Sequence, residues 1–204
     1  MGNNQQDNPE NISVIILAAG SSSRLGQSKQ LVMIDGVPLL LKSTLASLDA
    51  KYLHVVVVLG ANAAEHKKMI AHLPVEILTN TEWENGMGSS LKKGLRYVLK
   101  SKPATRAIVV MVCDQPLLTQ EHLAALRHAY TKTNSQIVAS RYGGMKGVPA
   151  LFDYRLFPSL MEIDDSQGAK VVIEAHSETV HTIDWEDGHL DIDTPEDLNL
   201  LNSQ

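Results

Sequence analysis

Apolar positions in this chain fall in short unbroken runs separated by stretches with helical spacing. Val14–Leu17, Val55–Val58 and Ile108–Cys113 show no polar alternation, the pattern of strands buried on both faces of a parallel sheet. The pattern predicts strands over 12–19, 54–59, 75–79, 107–113, 136–140 and 179–183. It predicts helices over 38–48, 63–72, 89–100, 120–131, 169–176 and 195–201. Thr119 can cap the fourth helix. Thr194 and Pro195 give a cap and a first-turn proline to the last, with Glu196 and Asp197 favourable at its positive end. Repeated β–α alternation implies right-handed crossovers and an α/β fold, a three-layer αβα sandwich with a Rossmann-like, mostly parallel sheet. The segment RYGGMKGVPALF at 141–152 breaks the alternation and predicts a crossover with short strand pieces. Residues 1–10 are polar and Asn/Gln-rich and read as a disordered N-terminus; residues 11–204 read as a single domain.

Composition narrows the function classes. The 204 residues are 44% hydrophobic but only 4% aromatic, so aliphatic side chains must fill the core. A formal charge of -5 argues against a general nucleic-acid binder, which shows a basic face. The single cysteine, Cys113, excludes an internal disulfide and sits in an apolar run, as a buried inert thiol would. The eight histidines lack H-E-x-x-H spacing. No apolar stretch has the length of a membrane span or the pattern of a signal peptide, so the cytoplasm is the expected compartment and no membrane partner is expected.

Candidate chemistry follows the strands. After Leu17, Ala18 and Ala19 come Gly20, Ser21, Ser22, Ser23, Arg24, Gly26 and Lys29. A strand running into a small-residue turn with exposed amides and two cations suits a polyphosphate. The spacing is neither G-x-G-x-x-G nor that of a P-loop, whose lysine is followed by Ser or Thr. In open α/β sheets ligands bind outside the carboxyl ends of strands, where Asp114 and Asn80 also fall. Asp114 can ligate magnesium or cap a turn. Asp191 and Asp193 alternate around Ile192, so both point to one side if the segment is extended. In TNTEWENGMGSSLKKGL, Gly86 and Gly88 permit close backbone approach, and Ser89 and Ser90 open a helix whose Lys92 and Lys93 read as a solvated face.

The stretch LAAGSSSRLGQSKQ resembles the signature loop of sugar-nucleotide-type nucleotidyltransferases, above all the MobA-like branch of molybdenum cofactor cytidylyl- and guanylyltransferases. The similarity runs over nearly the whole chain after Ser13. It implies a nucleotide-diphospho-sugar transferase fold and one nucleotidyltransferase domain over 11–204. It implies a nucleoside triphosphate held by Leu17, Ala18, Ala19, Gly20, Ser21, Ser22, Ser23, Arg24, Gly26 and Lys29. Its base-reading loop falls on Asn80, Gly88 and Ser90. Its magnesium aspartate falls on Asp114, with Asp193 the first choice for a second ligand and Asp191 the other. Arg24, Lys29 and Asp114 then carry catalysis. A G-x-P stretch borders the acceptor pocket, where Lys146 could meet an acceptor phosphate; Lys170 is an outside candidate. Ala18-Ala19 in place of Ala-Gly points to CTP, with molybdopterin as acceptor and a molybdoenzyme as possible partner. Leu25 and Met33 depart from residues common in the family. Guanylyl transfer and methylerythritol phosphate cytidylyl transfer remain open within the class, as does a non-catalytic nucleotide-binding accessory role outside it. The loop spacing disfavours a nicotinamide-dependent dehydrogenase.

Overall fold

A computed structural model describes residues 11–194 and 196–198. The predicted N-terminal segment 1–10, and residues 195 and 199–201 of the last predicted helix, lie outside them.

Chain order runs β1 (Ile12–Ala18), β2 (Met33–Ile34), β3 (Val37–Pro38), α1 (Leu39–Asp49), β4 (His54–Leu59), α2 (Ala63–Ile70), β5 (Glu76–Thr79) and α3 (Met87–Ser101). It continues β6 (Ala107–Val112), α4 (Gln120–Thr133), β7 (Ile137–Tyr142), β8 (Met145–Asp153), α5 (Phe157–Glu162), α6 (Lys170–Ala175) and β9 (His181–Asp184). Seven strands form one sheet in the order β5-β4-β1-β6-β8-β7-β9, and β2 and β3 form a separate ribbon. β1 pairs parallel with both β4 and β6, so its carboxyl end is a topological switch point.

Period-two geometry divides the apolar runs between two cores. Val14, Ile16, Val57, Val109 and Met111 face one layer, with Leu40 of α1 and Leu123 and Leu126 of α4. Ile15, Leu17, Val56, Val58, Ile108 and Val110 face the other, with Leu91 and Leu95 of α3 and Leu160 of α5. Both faces are covered, which is why these strands carry no polar alternation. α3 sits very close to β1: a Cβ at Gly94 would lie 2.7 Å from Ile15 Cγ2.

The segment 141–152 differs from the predicted crossover. Gly143 and Gly144, both at positive φ, turn the chain into a hairpin. The returning strand β8 then inserts antiparallel between β6 and β7. The sheet is therefore mixed, and α5 follows where no helix was predicted. α3 opens at Met87, two residues before its predicted start. Lys92, expected on a solvated face, is largely buried. Its ammonium pairs with Asp165 at 2.6 Å and donates to the Ile163 carbonyl at 2.9 Å, tying α3 to the 163–165 loop.

Candidate active site

β1 and β6 are neighbours, so the turn after Ala18 and the residues after Val112 emerge side by side. A glutamine shapes that turn. Gln30 is 1% exposed; its amide donates to the carbonyls of Ala18 at 3.1 Å and Gly20 at 3.0 Å. Its Oε1 accepts from Ser28 Oγ at 2.7 Å. Ser28 Oγ also meets Nε2 of the buried His66 at 2.7 Å. Ser22 takes a left-handed conformation at φ 58, and its hydroxyl accepts from the Lys29 amide at 3.0 Å. The turn is thereby folded back so that Lys29 points toward the end of β6.

There Lys29 Nζ donates to Asp114 Oδ2 at 2.7 Å and to Asp193 Oδ1 at 2.8 Å. Arg24 donates to the other Asp193 oxygen at 2.8 Å from an exposed side chain. Burial disfavours the Lys29 ammonium, but attraction and hydrogen bonding to Asp114 and Asp193 outweigh it and hold its pKa above the usual lysine range. Asp193 is held below the usual carboxylate range, first by the hydrogen bond from Lys29 and then by its charge and that of Arg24. Asp191 behaves oppositely. Its residue is exposed overall, yet its carboxyl is partly desolvated and feels the charges of Asp114 and Asp193. That desolvation, then repulsion from those two acids, pushes it up to about 7.

Asp193 reaches Asp114 through an apolar plug. Ile192 is 1% exposed and packs with Leu25, Val32, Ile34 and Leu39. Its amide donates to the Asp114 carbonyl at 3.0 Å. Full burial of one such side chain is worth roughly 1.5–3 kcal/mol, enough to fasten the segment with Asp191 and Asp193 on either side of it. Thr194 and Asp197 cap one another beyond it, the Thr194 amide donating to Asp197 Oδ2 at 2.7 Å.

A cleft of about 290 Å3 opens beside this rim. Of the predicted site residues, Leu17, Ala18, Ala19, Gly20, Ser21, Lys29, Ser90 and Asp114 line it. Ser22, Ser23, Arg24 and Gly26 lie outside its lining, on the outer part of the turn. Two predicted base contacts, Asn80 and Gly88, are absent from the lining and hydrogen-bond within the protein. Asn80 is 2% exposed; its Nδ2 donates to Ser89 Oγ at 2.9 Å and Ser90 Oγ at 3.0 Å, and its Oδ1 accepts from the Glu82 amide at 3.1 Å. The Gly88 amide donates to the Asp165 carbonyl at 2.8 Å, and a Cβ there would lie 2.3 Å from the Asp164 carbonyl oxygen. Lys146 donates to the Ser177 carbonyl, and Lys170 lies 3.8 Å from Glu174 on an exposed helix face. Cys113 is buried, and burial followed by the Asp114 charge pushes its thiol up to about 12, as an inert thiol requires. Gln30 and Trp83, which also line the cleft, escaped the sequence reading. The signals for them were slight: a glutamine directly after the lysine, and one of two tryptophans inside a glycine-rich loop.

The donor set suits a hard divalent cation. Asp114 Oδ1 is buried without a hydrogen-bond partner while Oδ2 meets an ammonium. Among the described residues no three acidic, imidazole or thiolate groups cluster as a complete metal cage. Magnesium needs none, since it takes one or two carboxylates and completes its shell with water and substrate phosphates.

A mixed sheet of this order, with a phosphate-type turn at its switch point, places the chain among the nucleotide-diphospho-sugar transferase folds. The chain belongs to the MobA-like NTP transferase family, whose domain matches residues 14–180, and is a nucleotidyltransferase by that membership. It is 26% identical to purine catabolism protein PucB of Bacillus subtilis, covering 92% of this chain and 94% of the relative. It is 28% identical to nicotine blue oxidoreductase of Paenarthrobacter nicotinovorans, with the same coverage of each. It is 24% identical to a probable molybdenum cofactor guanylyltransferase of Trichormus variabilis, covering 95% and 92%. Among solved structures, a homologue of Rv0371c from Mycobacterium sp. strain JC1 superposes with a TM-score of 0.79 at 30% identity, covering 95% and 96%. Rv0371c of Mycobacterium tuberculosis in complex with manganese superposes at 0.78 and 23% identity, covering 95% and 99%. No helix among the described residues is long and apolar enough to cross a membrane.

Proposed function

We propose that this protein moves a nucleotidyl group, CMP from CTP, onto a phosphate-bearing acceptor, molybdopterin, and releases pyrophosphate. The observation that carries the proposal is the convergence of Lys29, Asp114 and Asp193 within 2.8 Å contacts beside the Ala18–Gly20 turn. Cations and acids gathered there match a reaction that binds a polyphosphate and a divalent ion together. Asp114 and Asp193 would hold magnesium, which when bound supplies Lewis-acid charge to the reacting phosphate. A fold neighbour was solved in complex with manganese, a divalent ion.

The chain's own groups then have defined tasks. Lys29, released from its carboxylate partners, neutralises the β- and γ-phosphates, and Arg24 closes over them from the outer turn. The turn's amides orient the triphosphate so that an acceptor oxygen attacks in line. A phosphate monoester has a second pKa of about 6, so the acceptor is largely dianionic near neutrality and no side chain must remove its proton. The cleft accordingly needs no acid–base pair, and Cys113 is unreactive beside it.

Two measurements test this reading. Asp114→Ala should abolish pyrophosphate release from CTP with molybdopterin while the circular dichroism spectrum is retained; magnesium-dependent turnover near that of the unmodified protein would remove the metal role. A thermal-shift series with CTP, GTP, ATP and UTP plus magnesium identifies the base, because a ligand that binds only the folded state raises its melting temperature. The name of the Trichormus relative favours guanylyl transfer as the second reading, and a GTP-selective shift would establish it over CTP.

A further inference from the structure

Trp83 belongs to a loop whose other parts are occupied with holding it in place. Asn80 ties Glu82, Ser89 and Ser90 together. Ser89 Oγ lies 2.9 Å from the Glu82 carbonyl and 2.8 Å from that of Gly86. Gly86, at φ 124, and Gly88 are pressed against the backbone of 164–167 so closely that no side chain fits. Trp83 itself is seated on Gly60, where a Cβ would lie 2.6 Å from Trp83 Cβ and 2.7 Å from Cγ. The stem of the tryptophan is therefore fixed, while the residue remains half-buried and lines the cleft. Met87, 47% exposed, opens α3 just after the loop and also lines the cleft. A tryptophan partly open in a cleft offers a flat apolar face on which a flat partner can stack.

The same lining holds Gly20, Ser21, Lys29 and Asp114, the groups suited to phosphates. A nucleotide with its phosphates there directs its base away from them, and the remaining lining includes Trp83, Met87 and Ser90. We propose that Trp83 is the stacking platform for the nucleotide base, in the place where Asn80 and Gly88 were expected to read it. This rests on the nucleoside triphosphate reading of the cleft given above. Every base has a π-face, so stacking adds affinity without choosing among bases. Trp83 is thus an affinity residue common to all four nucleotides, and selection falls to polar groups such as the Ser90 hydroxyl.

Intrinsic fluorescence of the protein tests the proposal. The chain has two tryptophans, and the other, Trp185, is 7% exposed and stacked on His122 at 4.8 Å. Titration with CTP or GTP should quench emission, and Trp83→Phe should remove the nucleotide-sensitive part. Inorganic tripolyphosphate should bind by calorimetry without quenching. Trp83→Ala should weaken CTP and GTP by a similar factor, tenfold or more, and leave tripolyphosphate affinity unchanged; Phe should restore most of the loss. Nucleotide binding without a quench, or with unchanged affinity in Trp83→Ala, overturns the platform even where tripolyphosphate binds. A nucleotide-induced quench in a protein that does not bind tripolyphosphate supports the platform and overturns the phosphate turn instead. Should Trp83→Ala fail to fold, the quench in the unmodified protein and its loss in Trp83→Phe decide the matter.

Discussion

Replacing Lys29 with methionine keeps the length of the side chain and removes its charge. The ammonium is shared by Asp114 and Asp193, whose side chains are 20% and 36% exposed around a lysine side chain 14% exposed. Its loss leaves three acids, Asp114, Asp191 and Asp193, on one rim with Arg24 reaching only the last. Removing one partner of a fully buried pair costs about 3–5 kcal/mol. Partial exposure lets water screen the acids left behind, which lowers the cost here to about 2 kcal/mol. For a chain of this size each kcal/mol shifts the melting temperature by about 2–4 °C, so Lys29→Met should melt about 4–8 °C lower. The sign is unambiguous at neutral pH: a lysine whose pKa is raised on folding contributes its full stabilisation below its unfolded pKa and loses it only under strongly alkaline conditions. Differential scanning calorimetry at low salt measures the loss. Magnesium chloride should restore more of it than sodium chloride of matched ionic strength, because a divalent ion can take the vacated place between the carboxylates. A variant as stable as the unmodified protein would refute the account of the rim as acids balanced by one shared cation.

Three further perturbations probe the surrounding structure. Gln30→Leu removes the donor to the Ala18 and Gly20 carbonyls and should cost about 1–3 kcal/mol of stability and weaken tripolyphosphate binding; unchanged affinity by calorimetry would show that the turn holds its shape unaided. Tyr130→Phe removes a 2.6 Å bond to Asp153, a carboxylate 3% exposed, and should lower urea stability by about 1.5–3 kcal/mol; a change within experimental error would show that Arg155 alone satisfies Asp153. His122 is buried against Ser140 and Trp185, and burial lowers its pKa to about 4. Its neutral form is the folded one, so this part of stability is complete above about 6.5 and is lost as pH falls toward 4, about 3 kcal/mol in all. His122→Gln should flatten the acid limb of stability in that window, and an unaltered limb would assign it to other groups.

The amino-acid sequence by itself determined six of the sheet's seven strands and the small-residue turn after β1, because both depend on neighbours in the chain. A run such as Val55–Val58 can be satisfied only by burial on both faces, and Gly20, Ser22 and Lys29 lie within one loop's reach of the strand before them. Asp114 was legible for the same reason, standing directly after the apolar run of β6. Only the tertiary structure decided which acid joins it. Lys29 and Asp193 are 164 residues apart, and they meet because Ile192 fills an apolar hole beneath the turn and donates its amide to the Asp114 carbonyl. Its place directly before Thr194-Pro195 made Asp193 the first choice over Asp191, but the contact with Lys29 depends on that plug. Packing likewise gives Asn80 and Gly88 hydrogen bonds within the protein, since a buried amide must satisfy its donors and acceptors there. The insertion of β8 between β6 and β7 has the same origin: its place depends on which strand edges remain unpaired, a property of the assembled sheet that short-range pattern does not carry.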